Sequence, residues 1–167
     1  MFLIELGRFL YRFRAWTAVP FFIVLVILIQ PATQFPLSLV LVIPGLLVRF
    51  WAAGYIGPTA RSTRFTSEYR IVNGPYQYLK HPLYLGNFLL VLGVVILFNP
   101  PIWYGIIIVA VFVSVYALIL KSELHYLNTL TKRHAVFKWT NAQGELSTIS
   151  VVGSMYLVYF VFTRFSL

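Results

Sequence analysis

GPYQYLKHPLYLGN, residues 74–87, sets a Lys-His-Pro step directly before a run of membrane-grade apolar residues. Asn73-Gly74-Pro75 is a turn signal. Pro82 suits the first position of a helix, where its missing N–H costs nothing, and this makes His81 the capping residue. Its ring then hangs beside helix N–H groups that favour an anion. Tyr84, three residues on, shares a helical face with His81. The apolar run, residues 83–98, ends at Asn99-Pro100-Pro101, and another follows over 102–120. A connection that short is a tight reversal, so the two runs predict a helical hairpin. A hairpin returns the chain to the side from which it set out. KSELHYL, residues 121–127, is therefore expected close to His81, with Glu123 opposite the imidazole.

The hairpin belongs to a larger pattern. Of the 167 residues 60% are hydrophobic and 10% charged, too little polar material to cover a soluble domain of this size. The apolar residues fall into five blocks, 15–29, 37–57, 83–98, 102–120 and 149–165. Each is a candidate span of the roughly 30 Å hydrocarbon core, the third and fifth being short. In lipid the backbone must satisfy its own hydrogen bonds, so helices are the economical reading, and no alternating barrel pattern is present. The expected fold is an all-α polytopic membrane bundle of about five transmembrane helices. It is read as one domain over 1–167, with an interfacial helix at 1–14, two spans in 15–57, a core at 70–138 and a last span at 149–165. The first block lacks a small-residue cleavage site and reads as a retained anchor.

The net charge of +9 does not point to nucleic acid, because the basic residues sit at the edges of apolar blocks and form no polar face. The absence of cysteine excludes disulfides and thiolate chemistry. Arg8, Arg12 and Arg14 precede the first block; Arg61, Arg64, Arg70 and Lys80 lie between the second and third; Lys121, Lys132, Arg133 and Lys138 follow the fourth. Segments 30–36 and 99–101 carry no charge. The positive-inside bias then expects a cytoplasmic N-terminus and an outer C-terminus, Arg164 being a minor exception. The first fourteen residues are amphipathic, with Glu5, Arg8 and Arg12 on one face, as in a helix lying on the membrane surface.

Beyond the hairpin, Glu123, Leu127, Leu130, His134 and Phe137 follow steps of four, three, four and three. This predicts one helical stripe carrying Glu123 and His134 on the same face, with His125 turned away. The expected pocket holds His81, Tyr84, Glu123 and His134 at the cytoplasmic boundary. Arg49, late in the second span, is read as snorkelling or as a substrate-anion contact. Arg61 and Arg64 are orientation charges that also suit a lipid head group or acceptor. Tyr78 and Tyr126 are read as interfacial-belt residues. The histidines lack close ligand spacing, which argues against a metal hydrolase.

RIVNGPYQYLKHPLYLG resembles the signature of the isoprenylcysteine carboxyl methyltransferase and phospholipid methyltransferase families. In it a Gly-Pro-Tyr turn leads to Arg-His-Pro, one residue and Tyr, often then Leu-Gly, and an acidic pair follows at a hairpin exit. Gly74, Pro75 and Tyr76 match the turn; His81, Pro82 and Tyr84 match the core; Leu85 and Gly86 match what often follows. Lys80 stands where Arg is usual, Ser122-Glu123 where Glu-Glu is usual, and Leu130-Thr131 where Phe-Gly is usual. His134 and Phe137 fall where two tyrosines are common. The resemblance implies a small integral membrane enzyme using S-adenosylmethionine, with a cofactor pocket on the cytoplasmic side. Cofactor contacts are expected from Tyr76, Lys80, His81, Pro82, Tyr84, Gly86 and Glu123. Glu123 or His134 would act as base for an amine acceptor, and Arg49 and Arg64 are expected on the substrate side. The partners implied are membrane lipids and a lipophilic acceptor, a carboxylate, amine or thiol. The bacterial inner membrane and the endoplasmic reticulum are the two locations expected.

Two other readings fit parts of the pattern. Sterol and steroid reductases carry a similar His-Pro-x-Tyr core with a nicotinamide cofactor, although Leu83 and Asn87 hold positions where the 5-alpha type tends to have Asn and Glu. A non-catalytic scaffold or lipid-binding protein fits the missing first acid.

Overall fold

The computed structural model describes residues 2–30, 35–63 and 65–165. The expected reversal falls where the chain turns back between α4 (Pro82–Phe98) and α5 (Ile102–Leu127). Asn99 caps α4 in the left-handed region at φ 47°, a conformation that Asn tolerates better than most residues. Pro101 then begins α5 as its N-cap.

The other long helices occupy the remaining apolar blocks: α1 (Phe2–Ile27), α2 (Phe35–Ile56) and α7 (Leu146–Phe165). Between them lie two short 3-10 turns, Gly57–Arg61 and Gln143–Glu145, two one-turn helices, α3 (Pro75–Tyr78) and α6 (Trp139–Ala142), and two dipeptide strands. Three helical stretches, Phe35–Ala60, Ile102–Leu127 and Trp139–Arg164, are long and apolar enough to cross a bilayer. A fourth is present if the two arms of α1, Leu3–Arg14 and Trp16–Ile27, bent by 56°, make one span. The 17-residue α4 is shorter. Exposed Ile102, Ile106, Leu157 and Phe160 suit lipid contact. The chain is an all-α membrane protein.

The hairpin is splayed. α4 packs chiefly against α2, and α5 against α1, while α4 and α5 touch each other much less. Small residues explain the choice, because apolar side chains in lipid gain little by facing one another and close backbone approach decides the pairing. A Cβ on Gly86 would collide with the Arg49 side chain and lie 2.9 Å from the Gly45 carbonyl. Ser38 Oγ donates to the Gly93 carbonyl at 2.8 Å across the same interface. At the reversal end Leu25, Val94, Leu97, Phe98, Tyr104 and Tyr159 form a buried cluster, and Tyr104 donates to the Phe21 carbonyl at 2.9 Å.

One expectation is corrected here. α5 stops at Leu127, so the stripe from Glu123 to Phe137 is not a single helix. Thr129 turns its hydroxyl onto the Tyr126 carbonyl, the local bond by which threonine competes with helix propagation. The chain then runs extended, and β2 (Lys132–Arg133) pairs in parallel with β1 (Arg70–Ile71). Asn73 clasps Ala135 on both sides, Nδ2 to the carbonyl at 2.7 Å and the Ala135 N–H to Oδ1 at 2.9 Å. The backbone hydrogen bonds that a longer helix would have kept to itself go to this clasp.

Candidate functional site

The clasp joins the segment before α4 to the segment after α5, and so positions the first and last turns of the hairpin relative to each other. Gly74, at φ 61°, allows the turn into α3; any side chain there would strike the Tyr55 ring. His81 is the N-cap of α4, as its place before Pro82 requires, but its side chain makes no capping bond. The ring instead stacks on Tyr84, centroids 5.6 Å apart and planes 11° apart. Its Nδ1 lies 3.3 Å from Glu123 Oε2. The juxtaposition that the hairpin implied, about forty residues apart in sequence, is present. Tyr116 of α5 meets the Tyr84 ring edge-on at 5.2 Å and accepts a hydrogen bond from Asn87 Nδ2 at 3.0 Å.

His81 Nε2 is buried without a hydrogen-bond partner, and Tyr84 Oη and Glu123 Oε2 are buried beside it with no well-formed hydrogen bond, Oε2 facing His81 Nδ1. An unsatisfied buried group costs about 1–3 kcal/mol, so the cluster marks a place that a polar ligand would satisfy. All three residues line a cavity of about 460 Å³ between the helices. One end is polar, with Arg14, Tyr76, Asn87 and Tyr116 beside them. The other is apolar, lined by Phe21, Leu25, Val94, Val95, Ile108 and Met155. Along α4 the lining runs from Pro82 to Val95, roughly 20 Å at 1.5 Å per residue. Tyr76 also reaches the cavity, its hydroxyl 3.5 Å from the Ala52 carbonyl. Burial lifts its phenol well above the usual tyrosine range, and the carboxylates of Glu123 and Glu145 add to the shift. Tyr76 is therefore a neutral donor at physiological pH.

Arg49 is buried in the cavity wall, but its guanidinium is engaged. Nε and Nη2 meet Glu145 Oε2 at 2.8 and 2.7 Å, Nη2 reaches Thr148 Oγ1 at 3.2 Å, and Nη1 donates to Asn87 Oδ1. This network ties α2, α4 and the start of α7 together, so Arg49 does not offer a free charge to a substrate. Lys80 is exposed and lies off the cavity. His134, expected beside Glu123, is exposed just after β2 and also off the cavity, because the helix that would have carried it has ended. Gly86 is a packing contact beneath Arg49. Pro82 lines the cavity at the start of α4. Arg64 lies outside the described residues. Sequence reasoning missed Glu145, Asn87, Tyr116 and the place of Arg14 in the cavity lining. Only Glu145 carried a signal, as one of four carboxylates in the chain.

Ser122 faces away from the cavity. It is fully buried against α1, its Oγ donating to the Ile4 carbonyl at 2.9 Å, and a Cβ on Gly7 would lie 2.7 Å from its own Cβ. Ser122→Glu, which restores the usual acidic pair, is therefore expected to give no gain in cofactor binding. It should destabilise the protein by roughly 3 kcal/mol through overpacking and an unpaired buried carboxylate. Thermal unfolding and cofactor titration of the variant check this.

Fold and site together define an integral membrane protein with a cavity between its helices, polar at one end and apolar at the other. A sequence profile of the phospholipid methyltransferase family matches residues 33–132, more than half of the chain, and the chain belongs to that family of membrane methyltransferases. No curated relative and no solved structure matches it.

Proposed function

We propose that this protein transfers a methyl group from S-adenosylmethionine to a lipophilic acceptor, at the cytoplasmic boundary of its membrane. The observation that carries this reading is the buried, under-satisfied cluster of His81, Tyr84 and Glu123 at the polar end of a cavity whose other end is apolar.

The donor set suits this cofactor. The Glu123 carboxylate, which lines the cavity, suits an ammonium or ribose hydroxyls as acceptor. Tyr84 and Tyr116 place an aromatic cluster at this end of the cavity, and aromatic rings attract cations, of which sulfonium is one. His81 Nε2 and the neutral Tyr76 hydroxyl are available to carboxylate or adenine atoms. When bound, the cofactor supplies a methyl group already activated as a sulfonium substituent. The protein's task is to hold the acceptor atom in line with that carbon, and alignment alone contributes several kcal/mol to lowering the barrier. His81, stacked on Tyr84 and held by Glu123, keeps a fixed position at the polar end. The apolar lining takes the acceptor's tail and excludes water. A carboxylate acceptor needs no base; for an amine acceptor, Glu123 is the base that the cavity offers.

Incubation of protein in lipid nanodiscs with methyl-tritiated S-adenosylmethionine and a membrane lipid extract tests the reading. Label is expected to enter the organic-soluble fraction, and isothermal titration is expected to show binding of S-adenosylhomocysteine but not NADPH. Binding of NADPH alone would replace this reading with a reductase. Binding of neither would leave a scaffold.

A further inference from the structure

Of the two arginines lining the cavity, Arg49 is neutralised by Glu145 and Arg14 is not: among the described residues Arg14 has no carboxylate partner. Beside the Tyr11 hydroxyl, its Nη1 and Nη2 reach two backbone carbonyls, of Tyr11 at 3.4 Å and of Ser62 at 3.1 Å. Its guanidinium carbon lies 4.1 Å over the Tyr11 ring. A guanidinium has five N–H donors, so those contacts leave Arg14 with donors to spare.

The position of Arg14 on its helix says what would use them. Arg14, Ala18, Phe21 and Leu25 follow steps of four, three and four along α1, and all four line the cavity. They form a stripe that crosses the bend between the two arms of α1, with a cation at the end of the first arm and apolar side chains along the second, roughly 16 Å in all. The polar end holds the carboxylate of Glu123 for a cationic donor and the charge of Arg14 for an anion. A planar fork of N–H donors recognises two oxygens of a carboxylate or phosphate.

We propose that Arg14 anchors the head group of the methyl acceptor, and that the acceptor is an anionic amphiphile whose carboxylate or phosphate meets Arg14 while its tail follows the α1 stripe. The word acceptor rests on the methyl-transfer reading; the amphiphile site does not.

The test compares wild type, Arg14→Gln, Arg14→Lys and Arg12→Gln in nanodiscs of zwitterionic lipid, Arg12 being an exposed arginine of the same helix. Equilibrium binding of labelled dodecanoate, dodecyl phosphate and uncharged dodecanol is measured with empty nanodiscs subtracted, and S-adenosylhomocysteine is titrated separately. Arg14→Gln is expected to weaken binding of at least one anion about tenfold, the size of a lost charge-assisted contact. Dodecanol and S-adenosylhomocysteine should bind as before, and Arg12→Gln should match wild type. The anion that loses more names the head group. Arg14→Lys keeps the charge without the fork and is expected to fall between; it carries the test if Arg14→Gln does not fold. Unchanged anion binding in either Arg14 variant, or an equal loss for dodecanol, overturns the proposal. So does weaker S-adenosylhomocysteine binding, which would assign Arg14 to the cofactor's own carboxylate. Arg14-dependent anion binding in a protein that does not bind S-adenosylhomocysteine would sink the methyl-transfer reading and leave the amphiphile site standing.

Discussion

His81→Ala and Glu123→Gln are each expected to lower kcat/KM for methyl transfer by roughly a hundredfold or more, and the double variant to fall no further than the worse single one. Groups that act as a unit lose their effect together, so the costs do not add. His81 and Glu123 meet the conditions for such a unit. They are 3.3 Å apart through Nδ1 and Oε2, both line the cavity, and His81 Nε2 on the far side of the ring is buried without a partner. Removing either side chain therefore frees the other from its position. Glu123→Gln retains volume and hydrogen-bonding capacity, so a large loss there reports the charge. Two further variants separate the imidazole nitrogens. His81→Asn keeps a polar atom near Nδ1, on the Glu123 side, whereas His81→Gln reaches toward Nε2. If Nε2 touches the cofactor, His81→Gln retains more binding of S-adenosylhomocysteine than His81→Asn. Single losses that multiply in the double variant would show two independent contacts.

The largest effect on stability is expected from Glu145→Ala, about 3–5 kcal/mol, because it strands a buried guanidinium. The Arg49 and Glu145 side chains are only 10% and 2% exposed, so solvent screens the pair little. By the same reasoning Arg49→Met combined with Glu145→Leu should be far milder than Glu145→Ala alone, since it removes both charges and leaves apolar volume. Thermal unfolding in nanodiscs orders the three proteins. The reverse order would mean that the pair's charge, and not its mutual compensation, holds the start of α7 against α2.

The outcome at Ser122 bears on how the family's pattern was read. In the sequence, serine in place of the first acid looks like a lost catalytic group. In the structure that position meets Gly7 of α1, where a longer side chain has no room. The departure belongs to the α1–α5 contact, and Glu123 alone faces the cavity.

Much of the site was legible because its signals are local. Proline at the first turn of α4 set the position of His81, Asn-Pro-Pro set the reversal, and the return of a hairpin brought Glu123 to the imidazole with no need to know any packing. The end of α5 was not legible in the same way. Steps of three and four continue past Leu127, and whether a helix follows them depends on a competing partner. That partner, the 70–73 segment, is reached only when the hairpin has folded. His134 was misplaced for this reason.

The sequence by itself determined the membrane class, the five apolar helices, the reversal at Asn99 and the meeting of His81 with Glu123, since each follows from hydrophobic length, proline placement or chain return. Only the tertiary structure decided which faces of those helices meet. A helix apolar all round has no amphipathic period to show its inward side. The splay of α4 from α5, the cavity that it opens, the neutralisation of Arg49 by Glu145 and the uncompensated charge of Arg14 all depend on that choice. It was made by close contacts at Gly7, Gly45 and Gly86, whose effect exists only once two helices are brought together.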